Sequence, residues 1–218
     1  MEPALVVFGG TFDPPHKGHM AVVSGLRDEL DVPVLVVPNG APPHRGGPVA
    51  PAACRLEMLE LAVFELGDPQ VSVSDMEVRR EGPSFTADTL QELVQQNPGT
   101  RLLLALGSDA AESLPSWERP EQVLLLATLI VFDRLGADRR AIAVLAALEG
   151  AGFRVGGARA LELDAPEIEA SEIRGRLAAG ENCTPYLSAP VLELILSRGL
   201  YGAPLARTRS GRGIIAGA

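Results

Sequence analysis

The stretch LVVFGGTFDPPHKGH, Leu5 to His19, decides the fold of this chain of 218 residues. Leu5, Val6, Val7 and Phe8 form a short unbroken apolar run bounded by turn residues, the pattern of a strand buried on both faces. Gly9 and Gly10 carry no side chain, so the backbone can turn sharply there and lie close to a ligand. Pro14 and Pro15 stiffen the turn and hold His16 outside any helix. From Lys17 to Leu30 the apolar residues Met20, Val22, Val23, Leu26 and Leu30 recur at helical spacing, which predicts an amphipathic helix. His16 and His19 then lie three apart at its first turn, where free N–H groups and the positive end of the helix dipole favour an anion. Gly18 between them removes a side chain that would crowd the site. Strand, glycine turn and helix start with two imidazoles add up to a cradle for phosphate.

Other readings of the string fit less well. It lacks the terminal Gly-Lys-Ser/Thr of a Walker A loop and the GxGxxG of a dinucleotide fold. Zinc on His16 and His19 would need further ligands at a familiar spacing, and none follows; no metal site built by the protein is expected.

The rest of the chain alternates. Val34–Val37, Val71–Val73, Met76–Arg79, Leu102–Leu106 and Leu129–Phe132 read as strands, and Leu161–Leu163 as a further short one. Helices are expected around Leu56–Phe64, over Ser84–Gln95 with Ser84 or Thr86 as its cap, and over Ala141–Leu148, Ser171–Ala178 and Pro190–Ser197. This order predicts an α/β, Rossmann-like, doubly wound and mostly parallel sheet with a small C-terminal helical appendage at about 165–201. One domain over 1–201 is expected, with a disordered tail over 202–218. In such sheets ligands gather at the carboxyl ends of strands near the point where strand order reverses.

Composition narrows the function. A hydrophobic content of 46% with 22% charged residues is that of a soluble globular chain, and the apolar runs Val123–Phe132 and Leu102–Leu106 are too short to cross a membrane. No signal peptide is read before the first strand, and Cys54 and Cys183 are expected as free thiols in a cytoplasmic protein. A net charge of −9 speaks against a general nucleic-acid or membrane binder, so positive charge must be concentrated locally. The cluster His16, Lys17, His19, His44 and Arg45 does so; it contains all three histidines and the sole lysine. Oligomeric state is left open, a homo-oligomer included.

GGTFDPPHKGH resembles the signature of the nucleotidyltransferases with the HxGH motif. Later segments are similar to those of the nicotinate mononucleotide adenylyltransferase family, and the resemblance runs from about Val6 to Tyr201. It implies transfer of the adenylyl group of ATP to nicotinate mononucleotide, giving deamido-NAD and pyrophosphate. It further implies an ATP site of Gly9, Gly10, Thr11, Phe12, His16, Gly18, His19, Gly107, Asp109, Ile168, Ser171 and Arg174, with His16, His19 and Arg174 catalytic. In IEASEIR, Ile168 to Arg174, the family has ISSTxIR; Ser171 and Arg174 match, whereas Glu169 and Ala170 replace two serines. The mononucleotide side is implied to comprise Asn39, His44 and Arg45 in VPNGAPPHR, Ser84, Phe85 and Thr86 in GPSFTADTL, Trp117 in LPSWERPEQV, and Arg134. Trp117 matches an aromatic that stacks on the pyridine ring, and the helix start at Ser84–Thr86 offers N–H groups to the nicotinate carboxylate. Arg134-Leu135-Gly136 stands where the family has an arginine-proline-glycine turn.

The attacking phosphate has a second pKa of about 6, so no general base is required. Magnesium is expected to arrive with ATP, and direct displacement without a covalent intermediate is expected. Two rival readings are a sister transferase acting on phosphopantetheine or a cytidylyl acceptor, and a nucleotide sensor without turnover.

Overall fold

The computed structural model describes residues 2–41, 49–134 and 140–205. Six parallel strands form one sheet: β1 (Ala4–Gly10), β2 (Val34–Pro38), β3 (Val71–Val73), β4 (Arg101–Gly107), β5 (Ala127–Arg134) and β6 (Arg159–Leu163), in the order β3-β2-β1-β4-β5-β6. From β1 the chain first builds outward to β3, then crosses back to set β4 against the other side of β1. Order therefore reverses between β1 and β4, and in such sheets ligands bind beyond the carboxyl ends of the strands at that point. Gly10 is in register with Pro38 and Gly107 with Phe132, so the turns after β1, β2, β4 and β5 leave the sheet side by side.

Helices cover both faces: α1 (Lys17–Leu30), α2 (Ala52–Leu66), α3 (Met76–Arg79), α4 (Thr86–Gln96), α5 (Ser108–Glu112), α6 (Pro120–Leu126), α7 (Ala141–Gly150), α8 (Ala170–Ala178) and α9 (Ala189–Arg198). Successive strand residues supply opposite cores, which explains the unbroken apolar runs. Val6, Phe8, Val34, Val36, Leu103, Ala105, Ile130 and Phe132 pack with α1, α2, α8 and α9. Val7, Val37, Leu102, Leu104, Leu106, Leu129 and Val131 pack with α4 to α7. The two C-terminal helices lie beside the sheet as expected and share their core, through Ile173, Leu177, Val191 and Ile195, with α1 and α2.

Three expectations are corrected. Met76–Arg79 is a helical turn, not a strand. Its apolar-charged alternation suggested period two, but Glu77 is buried and hydrogen-bonded, accepting from Thr89 Oγ1 at 2.6 Å, and Arg79 pairs with Asp75 one turn back. Helix α4 starts at Thr86 with Phe85 as N-cap and no side-chain cap; the Ser84 hydroxyl donates instead to the Glu77 carbonyl at 3.5 Å. The tail begins in order: Ala203 is buried in the core, and its N–H donates to the Leu200 carbonyl. Residues 206–218 lie outside the described residues.

Candidate active site

His16 is the N-cap of α1, in extended backbone geometry, and His19 is the third residue of the helix. The two close a reciprocal cap. His16 Nδ1 accepts from the His19 N–H at 3.3 Å, and His19 Nδ1 accepts from the His16 N–H at 3.3 Å. An Nδ1 that accepts carries no proton, so the neutral ring holds its proton on Nε2. Both imidazoles thus keep Nε2–H as a donor, stacked with centroids 3.6 Å apart and rings inclined by 23°. Phe12, buried and at φ 51°, braces His19 in a T-shaped contact with ring centroids 5.0 Å apart.

The electrostatics hold both rings neutral. Burial, with the charge of Arg134 adding to it, lowers the His16 pKa from 6.5 to about 4. Burial lowers that of His19 as well, with His16 and Arg134 contributing. Arg134, at the end of β5, is therefore close enough for its charge to act on the histidine pair. Gly18 is required by space: a Cβ there would stand 2.9 Å from the Pro166 carbonyl oxygen and 3.1 Å from the His16 ring. At Gly10 a Cβ would meet the Phe12 ring at 2.9 Å.

Arg174 on α8 donates through Nη1 to the Asp13 carbonyl at 2.8 Å, so the last helical layer meets the histidine turn. Ser171 is exposed in the first turn of α8, Ile168 packs against the core beside it, and Glu169 is the exposed N-cap. Gly107 and Asp109 follow β4. Asp109 pairs with Arg140 at 2.5 Å, and Arg140 also engages Glu112.

The expected mononucleotide residues surround the end of β2. Asn39 donates its N–H to the Gly10 carbonyl at 2.9 Å and its side-chain amide to Glu77 Oε2 at 3.2 Å. Ser84 donates its N–H to the Ala41 carbonyl at 3.2 Å, which brings the start of α4 beside that turn. Trp117 is half-buried against the core of that face, and its indole N–H donates to Ser113 Oγ at 3.0 Å. Two residues on, Arg119 bonds Asp88 in the first turn of α4 at 2.8 Å, so Trp117 and Ser84–Thr86 belong to one neighbourhood. His44, Arg45, Leu135 and Gly136 lie outside the described residues.

Sequence reasoning passed over Arg55, Asp13 and Tyr201. Arg55 is fully buried on the apolar face that α2 shares with Met58, Leu59 and Ala62, and a charge on a buried stripe is the signal that marks it. Asp13, also buried, accepts from the N–H groups of Val49 at 2.7 Å and Ala50 at 3.1 Å and from the Tyr201 hydroxyl at 2.7 Å. Among the described residues no group of three or more His, Cys, Asp or Glu could hold a metal ion, and no helix is long and apolar enough to cross a membrane.

Comparison with known proteins agrees with this geometry. The cytidylyltransferase-like family model matches residues 7–176. A Thermomicrobium roseum protein described as "Probable nicotinate-nucleotide adenylyltransferase" is 38% identical over 201 residues, covering 90% of this chain and 91% of that one. A Geobacillus kaustophilus protein of the same description is 33% identical, covering 90% and 85%. In fold the chain is similar to a Plasmodium falciparum nicotinic acid mononucleotide adenylyltransferase complexed with NaAD, with a TM-score of 0.75 at 18% identity over 91% of this chain and 97% of that one. With the paired histidines at the switch point and relatives of this identity along nearly its whole length, the chain belongs to the nicotinate-nucleotide adenylyltransferases of the cytidylyltransferase-like family.

Proposed function

We propose that this enzyme transfers the adenylyl group of ATP to nicotinate mononucleotide by direct in-line displacement, giving deamido-NAD and pyrophosphate. The observation that carries the mechanism is the stacked pair of neutral imidazoles at the start of α1, each with Nε2–H to donate. The mononucleotide phosphate is largely dianionic at neutral pH, its second pKa being about 6, so it attacks without a base. What the protein supplies is alignment of attacker, α-phosphorus and leaving pyrophosphate, and donors for the charge that grows on the transferring group. His16 and His19 supply the donors through Nε2–H, with the Gly18 N–H beside them, since the N–H groups of Lys17 and His19 are taken by the Tyr186 carbonyl and by His16; Arg134 and Arg174 add positive charge near the same turn.

Gly9, Gly10, Thr11, Phe12, Gly18, Gly107, Asp109, Ile168 and Ser171 complete the ATP side in this reading. Asn39, His44, Arg45, Trp117 and the start of α4 at Ser84–Thr86 complete the mononucleotide side. Uncapped N–H groups at the start of α4 favour a carboxylate over a neutral amide, hence nicotinate over nicotinamide. Magnesium is held largely by phosphate oxygens and water, for which one or two protein carboxylates suffice, so we place it with ATP. Bound there, it neutralises phosphate charge. A cytoplasmic location belongs to the same reading.

Pyrophosphate release with ATP and each of three acceptors tests the assignment. Turnover with nicotinate mononucleotide at least about tenfold faster than with nicotinamide mononucleotide, and none with phosphopantetheine, is expected, since one charge-assisted contact is worth about that much. Equal rates with the two mononucleotides contradict the carboxylate site. A trapped nucleotidyl-histidine contradicts direct displacement.

A further inference from the structure

Arg55 lies in no substrate-binding segment of the sequence, yet it is the largest fully buried side chain among the described residues. Its guanidinium is spent on backbone carbonyls. Nη1 donates to Thr11 at 2.7 Å; Nη2 donates to Asn39 at 2.6 Å and to Gly40 at 3.0 Å; Nε donates to Ala50 at 3.3 Å. Thr11 belongs to the turn after β1, and Asn39 and Gly40 to the turn after β2. These turns leave adjacent strands, and the Asn39 N–H donates to the Gly10 carbonyl at their point of exit. Burial disfavours the charge, and the carboxylates of Asp13 and Glu77 offset that in part.

We propose that Arg55 is a positioning residue that fixes the distance between the two nucleotides, by tying the ATP turn at Thr11 to the mononucleotide turn at Asn39–Gly40. This rests on the assignment of those turns made above. A guanidinium suits the task because its donors form a rigid planar fork that reaches several carbonyls at once, whereas an ammonium is a point charge on a flexible stem. Gly40 seats against the same fork without room for a side chain: a Cβ there would lie 2.0 Å from the Glu77 carbonyl oxygen. Each substrate still meets its own turn when the fork is lost. Their mutual alignment suffers, and a misplacement of about 1 Å costs up to about 10²-fold in rate.

Arg55→Lys keeps the charge and removes the fork. Wild-type turnover with nicotinate mononucleotide is measured first, and its absence overturns the adenylyl-transfer reading rather than this one. Given turnover, R55K is expected to lower kcat per folded molecule by about 10- to 100-fold while both KM values stay within about threefold. An Arg55 that only stabilises the fold would lower the melting temperature and leave kcat per folded molecule unchanged, and that result overturns the proposal. Should R55K not fold, Asp13→Asn weakens the carboxylate that holds Ala50, one of the four anchors, and leaves Arg55 in place. A kcat lowered about threefold or more with both KM values retained is then expected; an unchanged kcat overturns the role.

Discussion

His16 and His19 satisfy each other across three residues of one turn, whereas Glu77, between β3 and α4, is satisfied by Asn39 and Thr89, 38 and 12 residues away. Both places bury polar groups near a substrate turn. The first is a device closed within a short string, so its chemistry travels with the string wherever the fold presents it. The second exists only once β2, α3 and α4 have come together, so its geometry is a property of the tertiary structure. A locally closed site is built for charge, and a tertiary one for fit.

That contrast predicts different kinds of damage. The largest effect is expected on the local side: His19→Ala removes a donor to growing charge and should lower kcat by about 10²- to 10³-fold with little change in the KM for mononucleotide. Steady-state kinetics in both substrates checks it, and equal losses in kcat and in affinity would erase the distinction. Next comes the tertiary side. Gly40→Ala drives a methyl into the Glu77 carbonyl and should destabilise the fold by about 1–3 kcal/mol, read as a lower denaturation midpoint. Trp117→Ala should raise the KM for mononucleotide by the equivalent of about 1–3 kcal/mol and leave kcat nearly unchanged, by analogy with bases stacked on aromatics. An unchanged KM would return Trp117 to packing on the core of its face of the sheet.

The local side also carries a pH dependence of stability, comparable in size with the tertiary effects. His16 has a folded pKa lowered to about 4 against 6.5 for the free side chain, so the unfolded chain binds the proton more readily. Its stabilising contribution is complete above pH 6.5 and is lost as the pH falls from there towards 4, at up to about 1.4 kcal/mol per pH unit. His16→Gln should flatten that part of the curve in denaturant titrations at successive pH values.

The same contrast separates what the sequence made legible from what it hid. Strand β1, the turn and helix α1 were readable because apolar periodicity and an i, i+3 pair are local signals, and α1 runs over Lys17–Leu30 as expected. Buried parallel strands announce themselves as apolar runs, which is why the sheet was foreseen. Met76–Arg79 misled because its alternation is as compatible with a strand as with one helical turn, and the choice is made by Thr89 and Asn39, distant residues that capture Glu77. Asp109 is expected to orient the nucleotides or the magnesium; that it also pairs with Arg140 depends on where α7 begins, which no short motif records. Arg55 carried a signal, a charge on the buried stripe of α2. Its partners are main-chain carbonyls, and those have no sequence.

The central claim is that two neutral imidazoles, each with its proton on Nε2, meet the transferring group. With three histidines in the chain, nitrogen-15 NMR of the imidazoles reads it directly. At pH 7, His16 and His19 should both appear as the neutral Nε2–H tautomer, resist protonation well below pH 6.5, and shift at Nε2 when a non-hydrolysable ATP analogue is added. Titration of either ring near 6.5, an Nδ1–H tautomer, or resonances indifferent to the analogue would contradict the account.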